Sequence, residues 1–234
     1  DLNAKAVLVL EDYNGPALTA ANHLNILVIR MSVRQQHLAG EFELLGEVHN
    51  SVTSEQLPSQ NDIALILHTS GTTSRPKIVP LLHSNIVSSA ENIRESLSLS
   101  EQDICMNIMP LFHIHGLIAA VTASIGAGGS VWCTPGFDAL KFFRWLDDVS
   151  PSWFTAVPTM HQAILGRSER NKNIIDRNKL RFLRSSSASL PSQVMKELER
   201  VFSAPIIEGY GMTEATHQMA SNPLPPSKQK PGSV

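Results

Sequence analysis

Residues 63 to 82 read Ile63-Ala64-Leu65-Ile66-Leu67-His68-Thr69-Ser70-Gly71-Thr72-Thr73-Ser74-Arg75-Pro76-Lys77-Ile78-Val79-Pro80-Leu81-Leu82. The apolar run from Ile63 to Leu67 has the length of a buried strand, and a second run from Val79 to Leu82 predicts another. Pro80 argues against a helix directly after the intervening loop, so the loop joins two strands. Between them, hydroxyl and glycine positions crowd backbone N–H and side-chain O–H donors together, and Lys77 adds a mobile positive charge. Such a donor set can wrap a polyphosphate. It differs from the G-x-x-x-x-G-K-[ST] template, because Pro76 stands where the second glycine belongs and no helix N-terminus follows. A solvated Ser/Thr turn is the plain alternative.

Outward from this hairpin, the pattern is strand–helix alternation. Upstream, Ala6 to Leu10, Pro16 to Leu24 and Ile26 to Ile29 form a βαβ pattern, followed by a polar, mixed connection over residues 32 to 61. Downstream, Ser84 is placed to cap a helix with an apolar stripe of Ile86, Val87, Ala90, Ile93 and Leu97. Strands are predicted at Ile104 to Met109, Ser130 to Cys133, Trp153 to Val157, Leu180 to Leu183 and Pro205 to Glu208. Helices are predicted at Leu117 to Ile125, Leu140 to Leu146, Met160 to Leu165 and Val194 to Phe202. Residues 168 to 178 read as a charged loop. After Glu208 the chain turns rich in Pro, Ser, Lys and Gly, with no further element expected, as in a piece of a longer protein. The fold class is α/β.

Composition narrows the partners. The 234 residues are 42% hydrophobic and 17% charged, enough for a core. Lys plus Arg number 19 against 21 Asp plus Glu, a net charge of −2. Without a basic cluster, nucleic acid is not an expected partner. Cys105 and Cys133 are isolated, so neither a disulfide framework nor a paired thiolate metal site is expected. No apolar run approaches the roughly 20 residues of a membrane span. No secretory leader is read, and a reduced, cytoplasmic protein is the expectation.

Three further segments carry chemistry. In Met109-Pro110-Leu111-Phe112-His113-Ile114-His115-Gly116, two histidines stand two apart, but no Cys, Asp or Glu nearby completes a metal site. Such a histidine is an acid–base group or a hydrogen-bonded structural residue. Arg184-Ser185-Ser186-Ser187-Ala188-Ser189-Leu190-Pro191 follows a strand, where open α/β sheets bind ligands and small residues let a flat ligand approach. A helix N-cap is the alternative there. Glu208-Gly209-Tyr210-Gly211-Met212-Thr213-Glu214-Ala215-Thr216-His217 again follows a strand. It offers Tyr210 to an aromatic base, Thr213 to a phosphoryl oxygen and Glu214 to Mg²⁺.

Taken in order, Thr69 to Thr73 with Pro76-Lys77, Pro110 to His113, Ser187 to Leu190 and Tyr210 to Glu214 resemble the adenylate-forming family. These are the AMP-binding acyl-CoA synthetases, the adenylation domains of peptide synthetases and the luciferases. The wording of Leu67 to Gly71, Met212 to His217 and Lys230 to Val234 is similar to the oxalate–CoA ligase branch. The resemblance implies part of a large N-terminal domain with layered αβαβα sheets. Residues 1–50 would end a first βαβ-type subdomain, 51–61 connect, 62–222 form the central AMP-binding subdomain, and 223–234 lead toward a remainder.

The resemblance also implies a two-step reaction. A carboxylate attacks the α-phosphorus of ATP, and a thiol then displaces AMP. The implied cofactors are ATP, Mg²⁺ and CoA, or a carrier protein's phosphopantetheine. The partners are a small carboxylic acid and CoA or a carrier protein; the whole protein is then an acid–thiol ligase, with the peroxisome as a second compartment. A carrier-loading adenylation domain and a non-catalytic nucleotide-binding module are the alternative readings. By resemblance, Thr69, Ser70, Gly71, Thr72, Thr73 and Lys77 hold the β,γ-phosphates. Ser187, Ala188 and Ser189 border adenine and the acyl group, within a nucleotide site that includes Glu208, Gly209, Tyr210, Gly211 and Met212. Tyr210 stacks on adenine, Thr213 meets the α-phosphate, Glu214 binds Mg²⁺, and His113 lines the acyl and thiol path. His113, Thr213 and Glu214 form the catalytic set. One departure is Ile78, where the family has glycine after the motif lysine. His113, Ser187 and His217 are the expected substrate contacts, and a protonated His217 with serine hydroxyls favours a short, polar acid such as oxalate.

Overall fold

The computed structural model describes residues 2–34, 36, 38, 40–46, 57–69 and 76–234. The chain divides into two units, Asp1–Leu57 and Pro58–Val234. In the first unit, β1 (Ala6–Leu10), α1 (Pro16–His23), β2 (Leu27–Ser32) and β3 (Glu43–Leu45) build a three-stranded sheet in the order β1-β2-β3. β1 and β2 run parallel, as a βαβ pattern demands, and β3 adds antiparallel to β2. β3 lies within the stretch expected to be connection only; its all-exposed Glu-Leu-Leu gives no alternating signal.

The second unit starts with an antiparallel hairpin, β4 (Ile63–Thr69) and β5 (Lys77–Leu82). α2 (His83–Ser96) follows at once. Ser84 is not its cap: Leu82 precedes the helix, and Asn85 Oδ1 accepts the Leu82 N–H at 2.9 Å. The capping side chain thus reaches back from inside the first turn. The remaining strands are β6 (Ile104–Asn107), β7 (Ser130–Cys133), β8 (Trp153–Ala156), β9 (Phe182–Ser185), β10 (Ile206–Met212) and β11 (His217–Ser221). They form one sheet in the order β11-β10-β9-β8-β6-β7, parallel except for β10 against β11. β11 was not expected, because its sequence, His-Gln-Met-Ala-Ser, lacks β-branched residues and alternation.

The crossovers run through a π-helix (His115–Thr122) continued by α3 (Ala123–Gly126), then α4 (Phe142–Val149), α5 (Pro158–Ser168), α6 (Lys172–Arg177) and α7 (Ser192–Phe202). The charged 168–178 stretch, expected as loop, is helical over most of its length: Ile174 and Ile175 turn toward the core while the charges face out. No helix among the described residues is long and apolar enough to cross a membrane.

Strand alternation divides the six-stranded sheet into two faces. Met106, Phe154, Leu183 and Ile206 pack under α4, α5, α6 and α7 with Phe142, Leu146, Ile164, Leu198 and Phe202. Cys105, Trp153, Phe182 and Ile207 face the other way, under α2 and the π-helix, with Ile93, Leu97, Ile118 and Ala119. The second unit is an α/β fold with helices on both sheet faces. Its loops gather at the carboxyl ends of the parallel strands, where such sheets bind ligands.

Candidate functional site

At that edge, β9 ends in Ser185 and runs into Ser186-Ser187-Ala188-Ser189. β10 carries Glu208-Gly209-Tyr210-Gly211-Met212, and Glu208 pairs with Ser185. Ser186 Oγ donates to the Gly209 carbonyl at 2.7 Å, tying the two segments together. They enclose a cavity of about 290 Å³ lined by Ser187, Ala188, Ser189, Glu208, Gly209, Tyr210 and Gly211. Tyr210 is half exposed at its rim, and Glu208 is buried, its Oε2 accepting the Gly232 N–H at 2.8 Å. Residues more than twenty positions apart in sequence thus meet in one concavity.

Two glycines are required here by contact. A Cβ on Gly211 would run into the carbonyl oxygen of His217, where β11 folds back on β10 after a register shift. A Cβ on Gly209 would stand 2.6 Å from Nη2 of Arg184. Arg184 is fully buried, donates from Nη2 to Gln218 Oε1 at 3.0 Å, and leaves Nε and Nη1 without a partner among the described residues. Burial lowers its pKa to about 10, which still leaves it charged at neutral pH.

Beside Arg184 lie two histidines. His115 and His217 are buried, with ring centroids 5.4 Å apart. Burial, then the Arg184 charge, then His113 push His217 down to about 2. The same burial and Arg184 charge hold His115 well below the ordinary histidine range. A protonated His217, the expectation from sequence, is disfavoured: desolvation and a neighbouring guanidinium both oppose a second positive charge, and the local cation is Arg184. His217 sits at φ 112 and Thr216 at φ 56; Ser89 Oγ of α2 holds this turn by donating to the Thr216 carbonyl at 2.8 Å.

The other expected site residues lie around this centre. Thr69 and Lys77 face each other as the pair that closes the β4–β5 hairpin. Ser70, Gly71, Thr72 and Thr73 lie outside the described residues. Met212 is exposed at the end of β10, and Thr213 and Glu214 follow in a short helical turn, Glu214 exposed. His113 is also exposed, whereas its neighbour His115 opens the π-helix and is buried. His115 Nδ1 lies 2.9 Å from Ser187 Oγ and Nε2 lies 2.6 Å from Thr155 Oγ1, so it is His115 that is wired to the cavity wall. Sequence reading missed the roles of His115, Thr155 and Arg184. The available signal was a polar residue interrupting an apolar strand at Thr155, and a charged residue closing one at Arg184.

Comparison with known proteins places the chain in a class. It matches the AMP-binding enzyme family over residues 1–234. It is 43% identical over 242 residues to the oxalate–CoA ligase of Arabidopsis thaliana, covering 100% of this chain and 46% of that protein. It is 44% identical over 185 residues to the oxalate–CoA ligase of Saccharomyces cerevisiae, covering 79% of this chain and 33% of the relative. Among solved structures, ATP-bound MatB from Rhodopseudomonas palustris superposes with a TM-score of 0.76 at 25% identity, covering 98% of this chain and 44% of that one. The chain belongs to the AMP-binding enzyme family. It spans less than half the length of these relatives.

Proposed function

We propose that the chain forms the nucleotide- and acid-binding part of an AMP-forming acid–thiol ligase acting on a short, polar carboxylic acid. The carrying observation is the cavity in which the Ser187–Ser189 and Glu208–Gly211 segments converge at the carboxyl edge of the sheet. Its size and its half-exposed Tyr210 suit a purine ring lying against the aromatic face. Thr69, the Ser70 to Thr73 loop and Lys77 would hold the β,γ-phosphates, and Thr213 the α-phosphate. The acid would lie toward Ser187, His113 and His217, in the positive field of Arg184.

Glu214 is the one residue assigned to Mg²⁺. It is exposed and makes no ion pair among the described residues, and no group of three or more His, Cys, Asp or Glu there could hold a metal alone. A single free carboxylate fits an ion that is otherwise bound by nucleotide phosphates and water. When bound, Mg²⁺ would neutralise phosphate charge. This chain's own contribution is alignment: it holds the carboxylate oxygen against the α-phosphorus and keeps donors on the oxygens where charge develops.

The proposed substrate class follows from this wall and from the similarity to oxalate–CoA ligases. A fatty-acyl tunnel gains about 0.8 kcal/mol per buried methylene from apolar walls, whereas here Ser187 offers a hydroxyl at the cavity and His115, His217 and Arg184 are buried behind it. CoA is the proposed acceptor, with a carrier-protein thiol as the outcome that would redirect the reading. The test is ATP–pyrophosphate exchange by the full-length protein over a panel of acids, followed by thioester formation with CoA or carrier protein. Short diacids should drive exchange; preference for medium-chain fatty acids would overturn the substrate class, and no exchange with any acid would overturn the function. Lys77→Ala should raise the KM for ATP by about 10- to 100-fold, in line with a charge-assisted contact, and leave that for the acid near its starting value.

A further inference from the structure

Thr155, His115 and Ser187 come from three separate segments and form one line of contacts ending at the cavity. The direction of that line can be worked out from its buried end. Thr155 is completely buried, and among the described residues its Oγ1 has a single hydrogen-bond partner, His115 Nε2 at 2.6 Å. A hydroxyl has one proton to give and two lone pairs. Were Thr155 to accept from Nε2–H, its own proton would be buried without an acceptor, which is the expensive way to leave a polar group; an unfilled lone pair costs far less. Thr155 therefore donates to Nε2.

His115 is neutral, because burial and the neighbouring Arg184 charge hold its proton affinity well below the ordinary range. A neutral imidazole carries one N–H. With Nε2 accepting, the proton sits on Nδ1, which donates to Ser187 Oγ at 2.9 Å. The Ser187 proton then cannot point at the ring. Ser187 stands at φ 72, in the left-handed region that a serine enters only when held there, and it lines the cavity. Its O–H is left to face the ligand.

We propose that His115 is a positioning residue whose Nδ1–H tautomer, set by Thr155, turns the Ser187 O–H away from the ring and toward an anionic oxygen in the cavity. The proposal rests on the carboxylate-activation reading only for the identity of that oxygen. In that reaction it belongs either to the acid or to the nucleotide's α-phosphate, and both are acceptors without a proton to give. The π-helix that begins at His115 fits the role, since such local widening of a helix recurs at functional sites. The device would favour an anionic oxygen, which can accept the directed O–H.

The first test needs no turnover. In full-length protein labelled with ¹⁵N-histidine, the His115 resonances should show a protonated Nδ1 and an unprotonated Nε2, assigned by their loss in His115→Asn. A protonated Nε2 overturns the proposal. The second test separates the two oxygen sources. Ser187→Ala should raise one KM by about 10-fold or more, as expected for a hydrogen bond to a charged group. A rise for the acid alone assigns the carboxylate, and a rise for ATP alone assigns the phosphate. No rise in either overturns the proposal. His115→Asn keeps an N–H near the Nδ1 position and should hold that KM within about 3-fold, whereas His115→Leu should reproduce the Ser187→Ala defect. If His115→Leu does not fold, the tautomer measurement and Ser187→Ala still decide. Absence of pyrophosphate exchange in the unmutated protein would sink the functional reading while leaving the tautomer result to judge the relay.

Discussion

Phe154 and Thr155 are consecutive residues of β8, both fully buried, yet they live in different chemistries. Phe154 meets rings: Phe142 at 5.1 Å, His161 at 5.8 Å and Phe202 at 6.0 Å between centroids. Thr155, one residue on and therefore on the opposite face, meets His115 Nε2. Leu183 and Arg184 repeat the contrast on β9. One face is a close-packed apolar core under α4 to α7. The other grows polar toward the carboxyl edge, with two neutral histidines and an arginine with two donor nitrogens that have no partner among the described residues. Burial alone does not separate these faces. What separates them is charge: among the described residues unpartnered buried nitrogens occur on both, at His161 Nδ1 and at Arg184, but only the second face holds a buried guanidinium that an anionic ligand would complete.

This contrast can be broken most easily on the apolar side. Phe154→Ala should destabilise the full-length protein by about 3–5 kcal/mol in chemical unfolding, because it removes a fully enclosed ring from the core. A loss under about 1 kcal/mol would mean that this face is loosely packed and the distinction wrong.

Acid should attack the histidines. His217, at about 2, and His161, at about 4, bind protons more weakly folded than unfolded. The unfolded chain takes up protons first, so their contribution is complete above about pH 6.5 and declines as pH falls below it. For His161 the decline levels off near pH 4, and for His217 it continues toward pH 2. The slope is about 1.4 kcal/mol per pH unit per histidine. His161→Gln should flatten the curve between pH 6.5 and 4 relative to the unmutated protein. An unchanged slope there would remove His161 from the account.

Arg184→Met should sharpen the comparison by separating stability from function. Replacing a buried, incompletely satisfied charge with an apolar side chain is often neutral or mildly stabilising, so the stability change should stay within about 2 kcal/mol. Acid-dependent pyrophosphate exchange should nevertheless fall by about tenfold or more, as expected for losing a charge-assisted contact. Severe unfolding together with retained exchange in the surviving protein would make Arg184 a purely structural residue.

The smallest effect concerns the start of α2. Asn85→Ala should cost about 0.5–1 kcal/mol, because Asn85 satisfies the Leu82 N–H, while Ser84→Ala should fall near zero. The reverse ranking in thermal melts would restore Ser84 as the cap.

How much of this was legible in sequence depended on range. The short apolar runs at 104–109 and 153–157 announced strands because central parallel strands, buried on both faces, need continuous apolar residues. The phosphate-type loop, the serine run and the Glu208 to Glu214 segment stood out by composition, since small and hydroxyl residues crowd only where a backbone turns or a ligand approaches. α6 escaped notice because its charges mask the two isoleucines that anchor it. β11 escaped because an edge strand takes its place by pairing, and nothing in His-Gln-Met-Ala-Ser demands it.

The histidine pair marks the limit most sharply. By residue type and spacing alone, His113 and His115 are hard to tell apart: they stand two residues apart with no carboxylate nearby, and only the family resemblance singled out His113. Sequence by itself determined the α/β alternation, the family and the segments that must gather at one sheet edge, because those follow from local spacing and composition. Only the tertiary structure decided which histidine faces Thr155 and Ser187, that His217 stays neutral beside Arg184, and that Gly209 leaves room for a guanidinium. Those outcomes depend on desolvation and on distances between strands far apart in the chain, and neither quantity exists until the sheet has formed.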